Sequence, residues 1–65
     1  MDLQKYKEKL QTEIVSIFDK HGIRATCRAT GMAPMRYYQI KKGEIAHAET
    51  LEKYLATIKS SLHVT

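Results

Sequence analysis

Three glycines, Gly22, Gly31 and Gly43, and a single proline, Pro34, cut this 65-residue chain into helix-sized pieces. Glycine supplies the left-handed backbone on which helices commonly end, and proline is tolerated in a helix's first turn, where its missing N–H costs nothing. Between these marks the apolar residues recur at spacings of three and four, the period of a helix with one buried stripe. Leu3, Tyr6, Leu10, Ile14, Ile17 and Phe18 predict a first helix over 3–20, with Asp2 as its N-cap, Gly22 at its end and Ile23 as a hydrophobic closure. A short second helix spans 24–30 and stops at Gly31. Gly31, Met32 and Ala33 then make a corner, and Pro34 opens a third helix over 34–42 that ends at Gly43. Glu44 to Ala48 reads as a loop. Leu51, Tyr54, Leu55 and Ile58 predict a fourth helix over 49–60, and Ser61 to Thr65 is too short to assign, with Leu62 and Val64 free to dock. The expectation is an all-α, compact bundle of four helices containing a helix-turn-helix, formed by residues 1–65 as a single domain.

A domain this small buries only about 60% of its unfolded surface, which leaves little room for a deep catalytic cavity. Paired carboxylates for acid-base work, a glycine-rich phosphate loop and a serine nucleophile in context are all missing. Cys27 has no second cysteine to pair with, and His21, His47 and His63 are scattered, so the sequence shows no metal-ligand spacing. Cys27 reads as a small core residue where two helices approach. Glu49 and Glu52 open the fourth helix, where its dipole favours carboxylates. The expectation is no enzyme, no cofactor, no metal and no small-molecule substrate. With no apolar run near about 20 residues and no apolar core of a signal peptide near Asp2, Lys5 and Lys7, a cytoplasmic protein without a membrane partner is expected.

Charge is concentrated. Residues 20–43 hold Lys20, Arg24, Arg28, Arg36, Lys41 and Lys42 and no carboxylate, a charge of +6, while the flanks 1–19 and 44–65 carry −1 each, for a net +4. A localised basic block on a balanced small domain is the footprint of a nucleic-acid binder. At about 100° per residue, Tyr37 and Ile40 define the buried side of the third helix, and Met35, Tyr38, Gln39 and Lys42 stand opposite. If that helix enters a major groove, these four face base edges. Gln39 can pair bidentately with adenine, Lys42 can meet guanine or a phosphate, and Met35 and Ala33 can pack on thymine methyls. Arg36, on the flank, reaches a guanine or the backbone. Arg24 and Arg28, four apart, share a face at the N-terminal end of the second helix and suit phosphate, a role extended to Lys20 and Lys41.

The stretch from Ile23 to Gly43, followed by a loop and Glu49-Thr50-Leu51, resembles the Cro/C1-type helix-turn-helix regulators of phages and bacteria over about residues 14–58. Cys27 matches the small residue in the middle of the family's first motif helix. Thr30, Gly31 and Met32 match its corner, Tyr37 and Ile40 the apolar pair of its recognition helix, and Gly43 that helix's end. The resemblance implies transcriptional control, often repression, by a homodimer on double-stranded DNA whose half-sites lie about 34 Å apart. Thr26 departs from the family, which usually has an aliphatic residue there; the loop after Gly43 is shorter and a fifth helix is missing. The stripe Leu3, Tyr6, Leu10 is then the candidate dimer contact. Two other readings stand beside this one. One is an excisionase-like or MerR-like DNA-bending protein, which needs a β-hairpin wing that residues 44–48 are too few to build. The other is a helical adaptor or inhibitor whose basic face binds an acidic protein.

Overall fold

In the computed structural model, which describes residues 2–63, four helices follow in order: α1 (Leu3–His21), α2 (Ile23–Thr30), α3 (Pro34–Lys41) and α4 (Ala48–Leu62). No strand is present among the described residues. The Asp2 side chain accepts the Gln4 backbone N–H at 2.9 Å, so α1 carries the expected cap. Gly22 differs from expectation. Its φ of 91° and ψ of 137° are not the ordinary left-handed helical values but an extended, positive-φ conformation that only glycine adopts readily. That one residue closes α1, its N–H reaching the Phe18 carbonyl at 2.8 Å, and opens α2, its carbonyl accepting from Thr26 N–H at 3.0 Å. Ile23 is therefore the first residue of α2, and its side chain packs, half-buried, against the core. Gly31, at φ 77° and ψ 8°, is the left-handed C-cap of α2, and Pro34 sits in the first turn of α3 as expected.

At its C-terminal end α3 stops at Lys41, with Lys42 as cap. Residues 44–47 form an irregular link, and α4 begins one residue early, at Ala48. It also runs on through Ser61 to Leu62, whose side chain packs on the core, where the sequence reading ends at Ser60. Val64 lies outside the described residues.

The core gathers Leu10, Ile14, Ile17 and Phe18 from α1, Cys27 from α2, Tyr37 and Ile40 from α3, and Leu51, Leu55 and Ile58 from α4. Each fully buried aliphatic or aromatic side chain contributes about 1.5–3 kcal/mol. The α1 stripe fades toward its start: Tyr6 is half-buried and Leu3 is 64% exposed. An eight-residue helix does not hold itself in water, so α3 depends on Tyr37 and Ile40, both essentially inaccessible. The Tyr37 ring lies 4.6 Å from that of Phe18, tilted by 31°, and its hydroxyl donates to Asp19 Oδ1 at 3.2 Å. Every pair of helices packs closely except α3 with α4. Thr26, at the position where the family resemblance would place an aliphatic residue, is fully buried, and its Oγ1 has no hydrogen-bond partner.

Candidate nucleic-acid interface

The corner between α2 and α3 is closed by local hydrogen bonds. Thr30 Oγ1 donates to the Thr26 carbonyl at 2.8 Å and accepts the Met32 N–H at 3.3 Å, and Gly31 N–H returns to the Cys27 carbonyl at 2.8 Å. With Tyr37 and Ile40 turned inward, α3 presents its opposite side to solvent. Met35 is 66% exposed and Tyr38 45%. These two and Leu3 are the large apolar side chains left most exposed among the described residues. Lys42 keeps helical backbone angles, φ −78° and ψ −8°, with its N–H on the Tyr38 carbonyl at 3.0 Å, so its side chain continues the outer face.

The expected readout residues separate into two groups. Ala33, Met35, Arg36 and Gln39 line one recess together with the corner residues Gly31 and Met32 and with Tyr54 of α4. There Arg36 Nη1 donates to Gln39 Oε1 at 3.0 Å, and the guanidinium lies over the Tyr54 ring, 5.6 Å from its centroid. Tyr38 belongs instead to a recess on the α2 side, lined by Gly22, Ile23, Arg24, Ala25 and Pro34. Its ring meets that of Tyr37 edge-on at 5.1 Å.

The expected phosphate residues are also redistributed. Arg24 stands in the first turn of α2, next to Tyr38, but Arg28 lies in the last turn, so only Arg24 is at the N-terminal end where both were expected. The reason is length: in an eight-residue helix a separation of four residues spans half of it. Lys20 is exposed in the last turn of α1. Lys41 is turned toward α1, its ammonium 5.9 Å from the Tyr37 ring centroid, in a recess shared with Gln11, Ser16 and Asp19, and it does not join the outer face of α3. Among the described residues none of the six block cations pairs with a carboxylate; the ion pair present, Lys59 to Glu13 at 3.0 Å, lies outside the block.

Three residues outside the expected set hold this arrangement. Tyr54 supplies the surface on which Arg36 rests. Gln11 of α1 donates from Nε2 to the Lys41 carbonyl at 2.8 Å and so ties down the C-terminal end of α3. Asp19 accepts from Tyr37, and burial together with that bond pushes the Tyr37 phenol above its ordinary range. Glu52, read from sequence as a partner of the α4 dipole, instead accepts the Tyr6 hydroxyl at 2.8 Å, which raises the Tyr6 phenol. Glu49 remains in the first turn of α4. Tyr54 carried one sequence signal, its place at the edge of the α4 apolar stripe, and nothing that linked it to Arg36.

Cys27 is buried and unpaired in the core. Among the described residues no cluster of His, Cys, Asp and Glu can hold a metal ion, and no helix is long and apolar enough to cross a membrane. Comparison with family models, with curated proteins and with solved structures finds no match in any of the three.

Proposed function

We propose that this protein is a sequence-specific binder of double-stranded DNA, a transcriptional regulator acting as a repressor, with α2 and α3 as its helix-turn-helix and α3 in the major groove. The observation that carries this reading is the outer face of α3. A helix of eight residues, about 12 Å long, exposes Met35 and Tyr38 within a segment whose six cations have no carboxylate partner among the described residues. A B-DNA major groove, about 12 Å wide, accepts a helix and offers thymine methyls to such side chains. Ala33, Met35, Arg36, Tyr38, Gln39 and Lys42 then face bases. Lys20, Arg24 and Arg28 lie on α1 and α2 to neutralise phosphates, and Lys41 takes part weakly. A homodimer reading an inverted repeat, and a cytoplasmic location, belong to the same proposal. The wing-bearing alternative is disfavoured by the strandless link at 44–47.

Selection from a random duplex pool tests this. The expected result is an enriched inverted repeat bound far more tightly than scrambled duplex. Affinity should fall with salt at a log–log slope of roughly −3 per protomer for three phosphate contacts. No enrichment, with binding lost near physiological salt and no competition by duplex against an acidic protein, would replace this reading with the adaptor one.

A further inference from the structure

The bond between Arg36 and Gln39 changes what α3 can read. A guanidinium has only donors, so the amide atom facing Arg36 Nη1 at 3.0 Å must be the oxygen of Gln39. A glutamine that pairs bidentately with adenine uses that same oxygen to accept from the adenine amino group while its NH₂ donates to N7. With Oε1 engaged by Arg36, the Nε2–H groups of Gln39 and the remaining N–H groups of Arg36 are what the pair has left to donate. With one Oε1 lone pair already taken by Arg36, the pair is dominated by donors. A guanine edge shows two acceptors, N7 and O6; an adenine edge shows one acceptor and one donor; a cytosine edge shows a donor.

We propose that Arg36 and Gln39 act as one donor-dominated reading unit that selects guanine over adenine, with Tyr54 of α4 as the residue that positions it. The proposal rests on the DNA-binding reading above and replaces the adenine pairing that Gln39 alone suggests. Tyr54 is suited to the role because α3 and α4 otherwise do not pack closely, so its ring is a lateral support for the guanidinium on that side. Resting the cation on a ring face limits its rotamers before DNA arrives, which reduces the ordering cost of contact.

The experiment measures binding of the full chain to the duplex enriched from a random pool and to its single G·C-to-A·T variants. Wild type is compared with Arg36→Ala, Gln39→Ala, the double variant, Tyr54→Leu and Tyr54→Phe, with thermal melting to confirm that each is folded. Wild type should prefer guanine at one position by roughly five- to 150-fold, the range of a good bidentate contact. Arg36→Ala and Gln39→Ala should each erode that preference at the same position, and the double variant should lose little more than the worse single, as coupled residues do. Tyr54→Leu should reduce the preference by roughly two- to fivefold, and Tyr54→Phe, which keeps the ring, should restore it. Adenine enriched at the position governed by Gln39 would show the second lone pair of Oε1 in use and overturn the unit while leaving DNA binding intact. Losses at two different base pairs that simply add would overturn it too. Absence of any enriched site would sink the DNA reading, and this proposal with it.

Discussion

Replacing Thr26 by valine should stabilise the fold. The Thr26 side chain is fully buried, its Oγ1 has no partner, and only its backbone groups are used, the N–H on Gly22 and the carbonyl on Thr30 Oγ1. Thr30, one turn on, shows the contrast: its hydroxyl both donates and accepts. A buried hydroxyl left unbonded costs about 1–3 kcal/mol, and valine fills the same branched volume with a methyl at nearly equal helix propensity. The expected gain is about 1–2 kcal/mol, a large share of the roughly 3–10 kcal/mol that holds a domain of this length. At about 2.1 cal/mol/K per residue, the unfolding entropy of the 65-residue chain is about 0.14 kcal/mol/K, which converts the gain to a rise in melting temperature of about 7–14 °C. Far-UV circular dichroism during heating measures it, and urea unfolding with an unchanged m-value checks that the unfolded state is not the source. Thr26→Ser, which keeps the hydroxyl and deletes the methyl, should fall by about 1 kcal/mol. An unchanged or lower melting temperature for Thr26→Val would refute the reasoning, because it would mean that the hydroxyl is bonded in solution, for example to a trapped water.

Arg24→Ala should weaken binding to every duplex about equally and reduce the salt slope by about 1, whereas a base-specific loss would remove Arg24 from the phosphate role. Gly31→Ala should cost about 1–2 kcal/mol from backbone strain alone, since φ is +77° and an added Cβ meets nothing within 4 Å; a smaller loss in thermal melting would show that the corner relaxes. Stability should decline in alkali through Tyr37. Its folded-state phenol is raised, so the folded chain holds the proton after the unfolded chain releases it, and the contribution is complete below about pH 10 and is lost as pH rises toward the folded value. Melting across that range should therefore be less steep for Tyr37→Phe, and an identical profile would assign the alkaline loss to other groups.

The four helices and the two sides of α3 are legible in the sequence because both follow from periodicity, a property of one segment at a time. Tyr37 and Ile40 fall inside, and Met35 and Tyr38 outside, by angle alone. The errors fall where a second segment decides. Gly22 was readable as a stop, but not as a joint that spends no further residue between α1 and α2, because that depends on where α2 must land to bury Thr26 and Cys27. Leu62 continues the spacing of Leu55 and Ile58, yet Ser60 and Ser61 hid the last turn of α4. Lys41 and Arg36 occupy opposite flanks of α3, and only the packing of α3 beside α1 shows that one leans toward Asp19 while the other rests on Tyr54.

That asymmetry bears on how a helix of eight residues would read bases in the proposed complex. Alone it would fray, and a fraying helix has to be ordered on binding, at an entropic cost that lowers affinity. Here each inward or lateral side has its own tether: Tyr37 and Ile40 enter the core, Gln11 of α1 holds the Lys41 carbonyl, and Tyr54 of α4 underlies Arg36. What stays exposed is the outer face, Met35, Lys42 and part of Tyr38. Specificity in the proposed complex then comes from a few side chains on a backbone held by the core and by Gln11. In that proposed complex the main phosphate contacts, Lys20, Arg24 and Arg28, sit on other helices. The two properties are separable because they rest on different elements, so one can be changed by substitution without disturbing the support of the other.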